Sequence, residues 1–257
     1  MARRVVVPAE LLAVMCPGEV ALGRRESHYV RNVLRLRRGD AVILMDGQGA
    51  EGYGVVSRLD DEAVSVDLTE FGRSAAHESP LHVTLLLALP RGQRWDVALQ
   101  KATELGVDRV WPVYTRRTQL RIPPDKVGER HERWLRIAQE AARQSGREVA
   151  PDICVPEPLG TVLDTLENER DVDLQLVAYV DAAGHAAEAG LEDLLSSSRA
   201  RKVVLLVGPE GGFEPAEIDL CARYGFHAVG LGPRTLRCET AAIVMVALVQ
   251  YRLGDLG

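Results

Sequence analysis

The feature that most restricts this chain is the order of residues between Lys202 and Tyr251, where an apolar run, two glycine turns and a longer apolar run follow one another. Val203-Val204-Leu205-Leu206-Val207 is unbroken, rich in β-branched residues and stopped by Gly208. That is the pattern of a strand buried on both faces, and hence of a parallel sheet. After the turn Gly208-Pro209-Glu210-Gly211-Gly212-Phe213, the segment Glu214-Pro215-Ala216-Glu217 reads as a helix start. Proline fits the first helical position, where no amide hydrogen is needed, and a glutamate suits the positive end of the helix dipole. Strand, glycine turn and helix can cradle a ligand, because glycine lets the backbone approach closely and helix-start amides attract oxygen. Neither turn spells G-x-x-x-x-G-K-[ST] or G-x-G-x-x-G, so a P-loop or Rossmann site has no support.

The second turn, Gly230-Leu231-Gly232-Pro233-Arg234, leads through Thr235-Leu236-Arg237-Cys238-Glu239-Thr240 into nine unbroken apolar residues, Ala241 to Val249. Nine residues are too few to span a bilayer, so this run predicts a buried helix. With the strand and both turns, it resembles the C-terminal half of the SPOUT RNA methyltransferases, and more closely the ribosomal RNA small subunit methyltransferase E family. Lys101-Ala102-Thr103-Glu104-Leu105-Gly106-Val107 and Glu140-Ala141-Ala142-Arg143-Gln144-Ser145-Gly146-Arg147 are similar to the same family, so the resemblance covers nearly the whole chain.

The resemblance implies an α/β SPOUT domain whose end is threaded into a deep trefoil knot, with S-adenosylmethionine wrapped by the knot's turns. It implies methylation of N3 of a uridine in 16S rRNA, by a homodimer, with Glu104, Gln144 and Arg147 near the dimer seam and the site. Two rivals stay open: a non-catalytic RNA-binding assembly factor on the same fold, and a SPOUT enzyme acting on another RNA or atom.

Residues 1–71 read as a small β-rich unit, with strand candidates at Arg4 to Val7, Ala41 to Asp46, Gly52 to Leu59 and Ala63 to Phe71. Gly47-Gln48-Gly49 and Asp60-Asp61 are the turns between them, and such short strands suggest a closed or nearly closed barrel. The family has a PUA-like β-barrel at this place. Residues 72–80 are small and polar and read as a linker, and from 81 to 257 strands alternate with helices. His82 to Leu89, Val110 to Val113 and Leu174 to Val180 are expected strands. Trp95 to Leu105, a stretch around Trp134 to Ala142, and Leu191 to Leu195 are expected helices, with Gly106 and Gly146 as stops.

Between residues 24 and 38 six arginines face one glutamate. Val30, Val33 and Leu34 at helical spacing are expected to point inward, turning Arg31 and Arg35 outward beside His28 and Tyr29, a mix suited to phosphate contact and base stacking. The stretch also resembles the family's His-x-x-x-Val-Leu-Arg signature at His28, Val33, Leu34 and Arg35, with four residues rather than three between His28 and Val33, and Arg3-Arg4 resembles its arginine-bearing start. The RNA-contact candidates are therefore Arg4, His28, Arg31, Arg35 and Arg147.

A net charge of −6 argues mildly against a chain coated in nucleic acid, though local patches decide RNA binding. Only Lys101, Lys126 and Lys202 are lysine among 31 basic residues, a bias that a GC-rich genome explains more readily than selection for phosphate recognition. Cys16, Cys154, Cys221 and Cys238 form no C-x-x-C pair, so neither a metal site nor a disulfide framework is expected. With no long apolar span and no secretion signal, the expected compartment is the cytosol and no membrane partner is expected.

Methyl transfer needs donor and acceptor held in line at near-attack distance. The expected cofactor pocket is Gly208, Pro209, Glu210, Gly211, Gly212, Leu231, Gly232, Leu236 and Arg237. Arg237 is the expected stabiliser of negative charge on the uracil oxygens. Glu239 or Glu210 would take the N3 proton if burial lifts its pKa, with Glu239 alternatively a structural partner of Arg237.

Overall fold

In the computed structural model, which describes residues 3–12, 17–46, 50–60, 63–73, 78–169, 171–179 and 190–257, the chain forms two units. One contains the chain up to Glu78 together with Ala142–Ala150, and the other Ser79–Ala141 with Pro151–Gly257. Residues 142–150 thus group with the first unit, which the expected boundaries did not foresee. The Gly47-Gln48-Gly49 turn, Asp61, Cys16, Val180 and linker residues 74–77 lie outside the described residues.

The first unit contains β1 (Arg3–Val6), β2 (Gly18–Ala21), the short α1 (Arg24–His28), β3 (Ala41–Met45), β4 (Ala50–Leu59) and β5 (Val64–Arg73). They form a five-stranded sheet in the order β1-β3-β4-β5-β2, parallel at β1–β3 and antiparallel elsewhere. Alternate residues of β3 and β5, Val42, Leu44, Val64, Val66 and Leu68, pack with Val5, Val30 and Val56 in one core. Gly54 sits at a register shift between β4 and β5, where a Cβ would come within 2.2 Å of the Asp67 carbonyl oxygen, so only glycine fits.

After α1 the chain widens into a π-helical turn, Tyr29–Val33, closed by the Leu34 N–H donating to the Tyr29 carbonyl. The wider turn breaks the expected helical register. Val30 is buried as expected, but Val33 is 58% exposed, correcting its inward assignment.

The second unit is α/β. Its strands are β6 (His82–Ala88), β7 (Arg109–Tyr114), β8 (Asp152–Ile153), β9 (Glu157–Pro158), β10 (Leu174–Ala178), β11 (Lys202–Val207) and β12 (Phe226–Val229). Its helices are α2 (Arg94–Glu104), α3 (Val127–Ser145, whose last residues group with the first unit), α4 (Leu159–Glu169), α5 (Leu191–Ser196), α6 (Pro215–Arg223) and α7 (Cys238–Leu253). The sheet is parallel throughout, in the order β12-β10-β11-β6-β7-β8, with β9 also paired to β7.

The unbroken apolar run of β11 has a direct structural reason. Val203, Leu205 and Val207 join the core under α2 and α7, while Val204 and Leu206 join the core under α4 and α6. A strand in the middle of a sheet covered on both faces has no polar side to show. At the head of α6 the capping position is Glu214, which forms a capping box with Glu217. The Glu214 N–H donates to Glu217 Oε2 at 2.9 Å. Among the described residues no helix is long and apolar enough to cross a membrane.

Candidate functional site

Strands β10, β11 and β12 lie side by side and end at Ala178, Val207 and Val229. These three residues open onto one cavity of about 400 Å³. Ligands of open α/β sheets bind outside the carboxyl ends of the strands, and a few hundred cubic ångströms is the size of a small-molecule site. Both glycine turns reach this cavity. Gly208, Pro209, Glu210, Gly211 and Gly212 line it from the β11 turn, and Leu231, Gly232 and Leu236 from the turn after β12.

The turns keep this shape because of their glycines. Gly212 (φ +67°) and Gly232 (φ +96°) sit in the left-handed region, where a side chain is strained. A Cβ on Gly208 would stand 2.8 Å from the Phe213 ring, so the backbone and the ring meet only because glycine is there. The Gly211 carbonyl accepts from Arg117 Nη1 at 2.9 Å, and Arg117 is itself part of the lining. A lining with more apolar than polar surface, edged by backbone amides and carbonyls, fits an adenosine-bearing cofactor with a compact sulfonium centre.

The charged groups beside the cavity are held by Arg94. Its Nη1 donates to Glu210 Oε1 at 2.6 Å, and its Nε lies 3.9 Å from Glu239 Oε1. The Arg91 N–H adds a second bond to Glu210 Oε1 at 3.1 Å. Burial pushes the Glu210 carboxyl upward, but its own amide, the Arg91 amide and the Arg94 guanidinium outweigh that and hold it below the usual carboxylate range. The expectation that burial lifts Glu210 toward neutrality is therefore corrected. Burial, reinforced by the hydrogen bond to Glu239 and the charge of Glu210, pushes the Cys238 thiol up to about 12, so it stays protonated and donates to Glu239 Oε2 at 3.3 Å.

Arg237 stands apart from this group. It heads α7, its carbonyl accepting the Ala241 N–H at 2.8 Å, and its side chain is exposed. It does not line this cavity, and the guanidinium beside Glu239 is that of Arg94. The expected place of Arg237 in the cavity lining and its pairing with Glu239 are corrected on that geometry.

The RNA candidates divide in two. Arg4 donates to the Gly146 carbonyl and lies 3.5 Å from the fully buried Glu51, while Arg147 is buried and donates twice to Glu78. Both guanidiniums are held inside the first unit, and the burial of Arg147 corrects its assignment as an RNA contact. His28 is exposed, with Nδ1 2.8 Å from Asn32 Nδ2, and Arg35 is exposed at φ +53°. Arg31 is half-buried and donates to the Asp60 carbonyl at 2.7 Å. The face of Tyr29 is covered by Arg143, 4.4 Å from the ring centre.

Arg94, Arg117 and Gln119 were not singled out from the sequence. The signal for them was their place, since Arg94 follows the end of β6 and Arg117 and Gln119 follow the end of β7 in a parallel sheet. Among the described residues no group of three His, Cys, Asp or Glu could hold a metal ion.

The family model for an RNA methyltransferase domain matches residues 77–250, and that for an RNA methyltransferase PUA domain matches residues 22–69. The ribosomal RNA small subunit methyltransferase E of Synechocystis is 34% identical, over 98% of this chain and 78% of its own. That of Bacillus subtilis is 29% identical over 88% of each chain. Among solved structures, a ribosomal RNA small subunit methyltransferase E from Neisseria gonorrhoeae bound to S-adenosylmethionine is 30% identical with a TM-score of 0.84, covering all of both chains. A methyltransferase from Legionella pneumophila solved with its cofactor SAM is 31% identical with a TM-score of 0.83, again over both whole chains. A parallel α/β unit with a glycine-lined cavity at its strand ends, matched by that domain model, defines an RNA methyltransferase. The chain belongs to the ribosomal RNA small subunit methyltransferase E family.

Proposed function

We propose that this protein transfers a methyl group from S-adenosylmethionine to N3 of a uridine in the 16S rRNA of the small ribosomal subunit. The observation that carries the reading is the convergence of the turns at 208–212 and 230–232 on one cavity. The relatives' names and the two relatives solved with the cofactor support it.

The cofactor supplies an electrophilic methyl group on a sulfonium. Gly208, Gly211, Gly212, Leu231, Gly232 and Leu236 hold it with backbone and apolar groups, which do not oppose the loss of its positive charge. The first unit grips RNA through the exposed Arg24, Arg25, His28, Arg35, Arg37 and Arg38, since phosphate contacts position the nucleic acid.

The same reading makes the first sheet a PUA-like barrel and the last part of the chain a trefoil knot. In support of the knot, α7 returns to pack on β6, β11 and α2 after a turn that lines the β11 cavity. It also makes the protein a homodimer through α7, whose half-buried Val244 and exposed Leu248 and Tyr251 follow one another at helical spacing on a face the described residues leave partly open.

Two measurements test the function. Calorimetry is expected to show one S-adenosylmethionine bound per chain. Nucleoside mass spectrometry of 16S rRNA from a strain lacking the gene is expected to show 3-methyluridine absent, and its persistence would sink the proposal.

A further inference from the structure

A second cleft adjoins the cofactor cavity. Arg91, Gln93, Arg94, Val97 and Gln119 line it together with Glu210 and Glu239. Glu210 lines both spaces, and Glu239 follows Cys238, which lines the first. A group seated in the cleft is therefore next to whatever occupies the cavity.

The chemistry of the cleft suits an uncharged heterocycle with carbonyl edges. Val97, 44% exposed, offers an apolar surface at one side. Gln119 makes no hydrogen bond to any described residue, and its amide can both donate and accept. Arg94 keeps further N–H donors beyond its bond to Glu210. The two carboxylates differ. Glu210 Oε1 already accepts from Arg91 and Arg94, whereas among the described residues Glu239 has only the thiol of Cys238 and a guanidinium 3.9 Å away.

We infer that this cleft receives the base to be methylated, with Arg94 supplying the positive charge against its carbonyl oxygens and Glu239 taking the proton from N3. The inference rests on the function proposed above and names that site's acceptor pocket. An enzyme acting on one base takes it out of the stack into such a pocket. The N3–H bond breaks with its proton passing to the Glu239 carboxylate. The electron pair left on N3 forms the bond to the methyl carbon, and the pair of the sulfur–methyl bond leaves with sulfur. Glu210 stays an anion throughout and fixes Arg94 in place.

The test is single-turnover methylation of small ribosomal subunits from a strain lacking the gene, using the full-length protein. Arg94→Ala, Arg94→Lys and Glu239→Gln are compared with wild type, with S-adenosylmethionine titrated by calorimetry in parallel. Removing a charge-stabilising donor or a general base lowers turnover about 100-fold or more. The expected result is that loss in Arg94→Ala and Glu239→Gln, with cofactor affinity within about threefold of wild type, and recovery of about tenfold in Arg94→Lys, which restores the charge without the fork. A wild-type rate in Arg94→Ala, or equal losses in rate and cofactor affinity, would overturn the inference. Should Arg94→Ala fail to fold, Gln119→Glu serves, since a carboxylate in the cleft is expected to raise KM for the subunit about tenfold or more, and an unchanged KM overturns the inference. If the wild-type protein binds S-adenosylmethionine yet forms no 3-methyluridine, the functional reading fails and takes the inference with it. Methylation by the wild type with no effect of these variants defeats the inference alone.

Discussion

Arg147 donates from both Nε and Nη2 to one oxygen of Glu78, at 3.0 and 2.7 Å, while the other Glu78 oxygen accepts the Glu148 and Val149 amides. This arrangement ties residues 147–149 to the end of the first unit's N-terminal segment, so the arginine works within that unit rather than on RNA. Breaking a buried pair by removing one partner costs about 3–5 kcal/mol, and less here because Glu78 is 21% exposed. Arg147→Ala is expected to lose about 2 kcal/mol or more in urea unfolding. Arg147→Lys should not restore it, because a single ammonium cannot supply both bonds. A variant that melts like wild type but binds RNA more weakly would return Arg147 to the RNA surface.

Gly208→Ala tests the cofactor cavity without touching any charged group. The new methyl group would need the Phe213 ring, 2.8 Å away, to move, and that ring is buried at the edge of the cavity. Overpacking of this kind costs about 1–3 kcal/mol. Calorimetry is expected to show S-adenosylmethionine affinity reduced about tenfold or more. Gly128→Ala is the control, since nothing lies within 4 Å of its new methyl group and the position is at the start of a helix. It should leave the affinity unchanged.

Much of this was legible in the sequence, and the reasons for the remainder are local. The central strand was readable because a residue buried on either face leaves no polar alternation. Gly106 and Gly146 marked helix ends because both adopt positive φ, +85° and +82°. Leu159, Val162, Leu163 and Leu166 carry the spacing of α4, a helix that was not singled out from the sequence. Strand β12, four residues after a glycine, is too short to show a period. Charged residues resist reading for a different reason: type and spacing say that a guanidinium is present, not who holds it. The partner of Arg147 is 69 positions away, and the arginine that braces Glu210 is 116 away. Arg237, two positions before Glu239 in sequence, faces solvent instead.

Tyr53 gives a prediction at alkaline pH. Its hydroxyl donates to Glu51, and that bond, with burial and the charge of Glu51, pushes the phenol up to about 12 from an ordinary value of 10.0. The folded protein thus holds this proton more tightly than the unfolded chain. The stability it contributes is complete below about pH 10 and lost as pH rises toward about 12. In unfolding experiments across this range, the advantage of wild type over Tyr53→Phe is expected to stay constant to about pH 10 and then shrink. Absorbance titration should lose one late-ionising phenol in the variant. An advantage that does not change with pH would mean that the hydroxyl's partner is not the buried carboxylate.

The stripe of Val244, Leu248 and Tyr251 on α7 gives the last. Leu248 is 40% and Tyr251 59% exposed, and the helix is apolar on nearly every side, which a helix covered on one face alone does not need. In a two-fold interface each substitution acts twice, once from each copy. Leu248→Glu would bury two carboxylates against apolar partners, a cost of several kcal/mol, and each 1.4 kcal/mol is a tenfold change in affinity. Sedimentation is expected to show a dimer for wild type and a dissociation constant raised about 100-fold or more for the variant. The melting of the monomer should change little, because the position is open to solvent within its own chain. A wild-type protein that sediments as a monomer at all concentrations, and still methylates, would leave the stripe without a partner copy and remove the dimer from the proposed function.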